Sequence, residues 1–184
     1  MKKVLYFLLF FLMTASFIGM DVKEARAYNY AGYRWGGYWP YVVVDTSPVS
    51  VIAWRNTIGG AMADWNAAGA RFTLVNGSSN NKAYVTYQYS DAFAWSQAYR
   101  KYGFWGDVYK ATITINNYHN FYPPSRSGWY YDLRSVLRHE FGHWLVLNHS
   151  YSPSVAMYNS IGVGQIKYLS SDEVNAIISI YGRR

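Results

Sequence analysis

"HEFGHWLVLNH" (139–149) holds three of the chain's four histidines within eleven positions, and the shape it takes governs the architecture around it. Leu133, Val136, Leu137, Phe141, Trp144 and Leu145 recur at helical spacing, with Asp132 where an N-cap belongs. On a helix each residue turns about 100°, so His139 and His143 lie nearly one above the other and both imidazoles reach a single ion. Glu140 is one step round from His139, which aims its carboxylate beside such an ion, where a water would sit. That is the place of a general base. His149 points well away if the helix continues, so the chain must bend out between Leu145 and His149.

On the C-terminal side, "LSSDEVNAIISIYG" (169–182) carries Ser170 with Glu173 three residues on, a capping box, and Gly182 as a stop. Val174, Ile177, Ile178 and Tyr181 form its apolar stripe. On the N-terminal side, "YVVVD" (41–45) reads as a buried strand, and Val51 to Ala68 as a helix weakened by Gly59-Gly60. "RFTLV" (71–75) and "AYVTYQY" (83–89) read as two strands around the turn-rich "NGSSNN", and "KATITINN" (110–117) as another whose Ala111, Ile113 and Ile115 share one face. Ser90 to Tyr109 is ambiguous. Strand, helix, several strands and two late helices make an α+β domain. "YNYAGYRWGGYWP" (28–40) reads as an arm that packs its rings on that domain, the alternative being a carbohydrate-stacking surface.

The histidine stretch resembles the metzincin metallopeptidases, which share H-E-x-x-H-x-x-G-x-x-H followed by a methionine-containing turn. His139, Glu140, His143 and His149 occupy the ligand, base, ligand and ligand places. Eight residues after the last histidine, "SVAMY" (154–158) offers Met157 for the turn. Ala156-Met157-Tyr158 is similar to the matrixin branch, as are "YDLRSVLRHEFGHWL" (131–145) for its active-site helix, the closing helix, and "AMADWNAAGARFTLV" (61–75) for its first helix and strand. The resemblance implies a twisted, mainly parallel sheet and a C-terminal helix after the Met-turn. It further implies one domain over 28–184, an upper subdomain at 28–148 and a lower one at 149–184. It implies one catalytic zinc on His139, His143 and His149, with Glu140 as base in peptide hydrolysis.

Departures from the pattern carry their own expectations. Val146 replaces the family glycine where the chain takes a left-handed conformation, and such strain costs about 1–3 kcal/mol. Zinc binding in small structural sites is worth about 10–16 kcal/mol, so strain alone does not empty the site. Asn148 is an alternative residue for the bend. With no cysteine, the family's cysteine-based latency cannot operate. His119, among Asn116, Asn117 and Asn120, reads as a surface histidine and does not suffice for a second, structural zinc. Asp45, Asp91 and Asp107 are too dispersed for a calcium loop, so calcium stays unassigned. Tyr158 reads as an ordinary tyrosine, and the segment "NSIGVGQIKY" (159–168) encodes no recognisable substrate preference.

At the N-terminus, Lys2 and Lys3 precede an apolar run that ends in a polar stretch and Ala25-Arg26-Ala27, an A-x-A site. Residues 1–27 therefore read as a signal peptide; an uncleaved anchor is the alternative, but the run falls short of the ~20 apolar residues a span needs. Losing the leader's four basic and two acidic residues takes the net charge from +7 to +5. The basic residues are scattered and make no nucleic-acid footprint. The expectation is a secreted, monomeric zinc endopeptidase acting on protein or peptide substrates, free or associated with the cell wall. The rival reading is a binding protein on the same scaffold, made inert by Val146.

Overall fold

The computed structural model describes residues 31–101, 107–123 and 129–184. The expected signal peptide and the first residues of the aromatic arm lie outside them. Along the described chain run β1 (Tyr41–Val44), α1 (Ile52–Ala67), β2 (Thr73–Asn76), β3 (Lys82–Thr86), β4 (Ala94–Arg100), β5 (Val108–Asn116), β6 (Phe121–Tyr122), β7 (Tyr131–Asp132), α2 (Leu133–Trp144) and α3 (Ser171–Tyr181). No described helix is long and apolar enough to cross a membrane.

Parallel pairings dominate: β1 with β2, β3 with β5 and β6 with β7. A parallel bridge between Asp45 and Lys82 sets β1 beside β3. β4 is the exception, an antiparallel edge on β5 with a register shift at Tyr99/Arg100. Strands thus form over the end of "RFTLV" and the start of "AYVTYQY", with Arg71, Phe72 and Tyr87 to Tyr89 outside them, and each pairs with another partner rather than with its neighbour.

Ala111, Ile113 and Ile115 alternate with half-buried residues on β5 and are fully buried, as the period-two pattern requires. α1 buries Trp54, Ile58, Ala61, Met62 and Trp65, and α2 buries Leu133, Val136, Leu137, Phe141 and Trp144. The two helices pack together, α2 also meeting β4, so the inner sheet face and both helices share one core.

Polar contacts fasten this arrangement. Asp64 on α1 accepts from Arg138 at 2.6 Å and Arg134 at 2.7 Å on α2, and the Trp65 indole donates to the Arg138 carbonyl at 2.9 Å. In the arm, Trp35 is buried and donates to the Trp144 carbonyl at 2.7 Å, satisfying one of the acceptors a helix end leaves open. Tyr38 and Trp39 remain exposed, so the arm packs only some of its rings.

Candidate metal centre

α2 begins as the sequence dictates, with Asp132 Oδ1 accepting from the Ser135 amide at 2.7 Å. Two turns on, the imidazoles of His139 and His143 stand perpendicular, with centroids 4.6 Å apart and Nε2 atoms 3.0 Å apart. Each ring is held from behind: His139 Nδ1 donates to the Ala156 carbonyl at 2.9 Å and His143 Nδ1 to the Leu147 carbonyl at 2.8 Å. A carbonyl only accepts, so both protons sit on Nδ1 and the two Nε2 lone pairs face each other. A shared cation turns that repulsive arrangement into a binding one, and carbonyl-held imidazoles of this kind are what metal sites use.

His149 completes the group. Its ring centroid lies 5.0 Å from each of the other two. One ligand atom from each of the three histidines falls within 4.8 Å of the others, the only such cluster of histidines and carboxylates among the described residues. This set of nitrogens fits the three-ligand, one-open-position pattern of a catalytic zinc.

The bend that delivers His149 is made by Val146 itself, with φ of 67°, and not by Asn148. The Val146 amide donates to the His143 carbonyl and the Leu147 amide to the Gly142 carbonyl, both at 3.0 Å. Those two bonds form a Schellman motif with a valine where glycine usually stands. Val146 is fully buried, and its carbonyl accepts from the Ala31 amide at 3.0 Å. Packing and the returning arm hold it in a conformation that its branched side chain disfavours.

The turn carrying Ala156 and Met157 is fastened from two sides. The Ser150 amide donates to the Met157 carbonyl at 2.8 Å. Glu173 closes the capping box of α3 with Oε2 on the Ser170 amide at 2.6 Å, while its Oε1 accepts from the Met157 amide at 2.5 Å. One buried carboxylate thus serves both the closing helix and the turn that orients His139.

Glu140 is buried and opens onto the same cavity of about 490 Å³ as the three histidines. Burial pushes its carboxyl up to about 7, opposed by a bond from Ser96 Oγ to Oε2 at 2.6 Å. Ser96 Oγ also lies 3.0 Å from the Glu140 carbonyl. Burial, with the neighbouring His143, takes His139 down to about 3, and burial likewise lowers His143. At neutral pH these two rings are uncharged and ready to ligate.

Other expectations fare differently. His119 is half-buried rather than freely exposed, 4.6 Å from the Phe93 ring and 3.0 Å from the Ser90 carbonyl, and stands apart from the three-histidine cluster. Asp45 pairs with Lys82 at 3.2 Å and accepts from the Ser47 amide at 2.9 Å. Tyr158 lines the cavity with the Lys167 ammonium 4.6 Å from its ring. Ser96 and Lys167 escaped the sequence reading. Ser96 lies in the segment whose period was ambiguous, and Lys167 is a lone cation in an otherwise featureless stretch.

An α+β domain with a histidine-bearing helix, a left-handed exit and a third histidine beyond it has the metzincin-like architecture. The sequence matches the matrixin model over residues 64–182, more than half of its length, and the chain belongs to that family. Membership carries a zinc metallopeptidase type of function and peptide substrates. No curated protein matches the sequence significantly.

Proposed function

We propose that the chain is a secreted endopeptidase in which His139, His143 and His149 hold one zinc ion and Glu140 is the general base. The observation that carries this reading is the convergence of three imidazole nitrogens within 4.8 Å beside a buried carboxylate. Zinc, when bound, supplies a Lewis acid that polarises a carbonyl and acidifies water.

The chain's own residues do the rest. The carbonyls of Ala156 and Leu147 keep the histidine rings turned inward. Glu140, steadied by Ser96, takes the proton of the attacking water and delivers it to the leaving amine. The rival inert-scaffold reading rested on Val146 spoiling the bend, and the bend is made. Export through residues 1–27 is part of the proposal, supported by the basic start, apolar run and Ala25-Arg26-Ala27.

A quenched-peptide assay with the purified mature protein tests the activity. Cleavage abolished by a chelator, restored by zinc and missing in Glu140→Ala supports it. Cleavage that survives in Glu140→Ala, or none with zinc bound, contradicts it. Secreted protein beginning at Tyr28 supports the leader, whereas retention of residues 1–27 opposes it.

A further inference from the structure

Beside the metal centre, the cavity is closed by the segment after Met157, and Lys167 from that segment lines it. Only 3% of Lys167 is accessible to solvent, yet no carboxylate oxygen among the described residues lies within 4 Å of its ammonium. Its partners are the Ser160 carbonyl and the face of Tyr158, both neutral. Burial lowers the Lys167 ammonium from its ordinary value, opposed by the charge of Glu173, whose oxygens are each engaged by an amide, those of Met157 and Ser170. Arg138, the nearby cation, shares the Asp64 carboxylate with Arg134, at 2.6 Å and 2.7 Å.

Position 167 is also rigidly placed. Its amide donates to Ser135 Oγ at 2.8 Å and its carbonyl accepts from Arg138 Nη1 at 2.6 Å, so both backbone groups are stapled to α2. The side chain starts from a fixed point on the helix that also bears His139. Buried charges are ordinarily paired, because an uncompensated one is expensive to hold away from water. A buried cation with no carboxylate partner, on the wall of this cavity, leaves its counter-charge to be supplied by a ligand. Asp91, the other carboxylate lining the cavity besides Glu140, is exposed on its rim.

We propose that Lys167 makes this cavity selective for an acidic side chain, so that the enzyme cuts peptides next to aspartate or glutamate. This rests on the metallopeptidase reading and gives it a substrate class. A plain apolar pocket, by contrast, selects a large aliphatic side chain.

Two peptide series, varied only at the residue on one or the other side of the scissile bond, carry Glu, Gln, Leu or Lys there. Zinc-loaded wild type is expected to favour Glu over its isostere Gln by about ten- to a hundredfold in kcat/KM in one series, the usual worth of a charge-assisted hydrogen bond. The Glu/Gln ratio should collapse to about unity in Lys167→Met, persist in Lys167→Arg, and invert toward Lys in Lys167→Glu. A wild-type preference for Leu or Gln in both series, or a Glu preference that survives in Lys167→Met, overturns the proposal. Should no peptide be cut, the metallopeptidase reading fails by itself. Calorimetric titration of the zinc-loaded protein with the Glu and Gln peptides then decides the selectivity, tighter binding of Glu supporting it and equal binding overturning it.

Discussion

Met157 sets its sulfur against Gly142, in the space that a β-carbon at position 142 would fill. The contact ties the turn after His149 to the helix one residue before His143. Ala156, whose carbonyl fixes His139, immediately precedes Met157 in that turn. Gly142→Ala forces the turn away, and overpacking of this kind costs about 1–3 kcal/mol. The zinc-free protein should melt several degrees lower, at roughly 2–4 °C per kcal/mol for a chain of this size. Its zinc affinity should also fall, measured by competition with a chelating dye. An alanine variant with unchanged melting and affinity would show that the turn does not lean on Gly142.

Val146 sits at φ 67° while fully buried, so two effects oppose each other there. Glycine relieves left-handed strain of about 1–2 kcal/mol, whereas each buried methyl is worth about 0.8 kcal/mol. Val146→Ala loses packing but keeps the β-carbon that the conformation dislikes. Urea unfolding should therefore find Val146→Gly at least as stable as Val146→Ala despite its smaller side chain, and its peptide cleavage equal to wild type or higher. An alanine variant clearly more stable than the glycine one would mean that packing, not backbone strain, rules this position.

The role of Glu140 as base can be separated from metal binding. Glu140→Gln keeps the size of the side chain and leaves the three imidazoles in place, so zinc content should stay near wild type while kcat falls by about 10²- to 10⁴-fold. Metal analysis and single-turnover kinetics on one preparation make the check. Loss of zinc together with activity would assign Glu140 to holding the ion.

The metal-free protein should show opposing pH dependences. Burial takes His139 from about 6.5 to about 3, so the stability it contributes is complete above 6.5 and is lost as pH falls toward 3. Burial opposes but does not outweigh Arg134 and Arg138 at Asp64, whose lowered carboxyl is likewise lost as a contributor in acid. Glu140 runs the other way: raised by burial to about 7, its contribution is complete below 4.5 and is lost as pH climbs through 7. Glu140→Gln should consequently gain stability relative to metal-free wild type at pH 8, by up to about 3 kcal/mol, and the gap should narrow by pH 4. A gap independent of pH would show that the buried carboxyl keeps its ordinary pKa.

The two late helices were legible because their caps and stripes are local: Asp132, Ser170 with Glu173, and Gly182 stand where the sequence puts them. The His139/His143 pair was legible for the same reason, since a spacing of four is a helical property. Val146 as the bending residue was half-legible; its position was clear, but whether it or Asn148 turns depends on burial and on Ala31 returning from far upstream. β4 stayed ambiguous because "AWSQAYR" has no fully buried residue on either face and so has little hydrophobic contrast. Ser96 went with it, its partner Glu140 being 44 residues away. The Asp64–Arg138 pair spans 74 residues and leaves no periodic trace in either helix. His119 looked exposed among asparagines, yet Phe93 and Tyr131 arrive from distant segments to cover it.

A zinc-edge anomalous map from crystals of the mature protein, grown with one equivalent of zinc, puts the three-imidazole site on trial. One peak per chain is expected, with a nitrogen from each of His139, His143 and His149 at about 2.0–2.1 Å and the fourth position open to solvent. A vacant cluster, or a bound ion with the His149 ring turned outward, would contradict it.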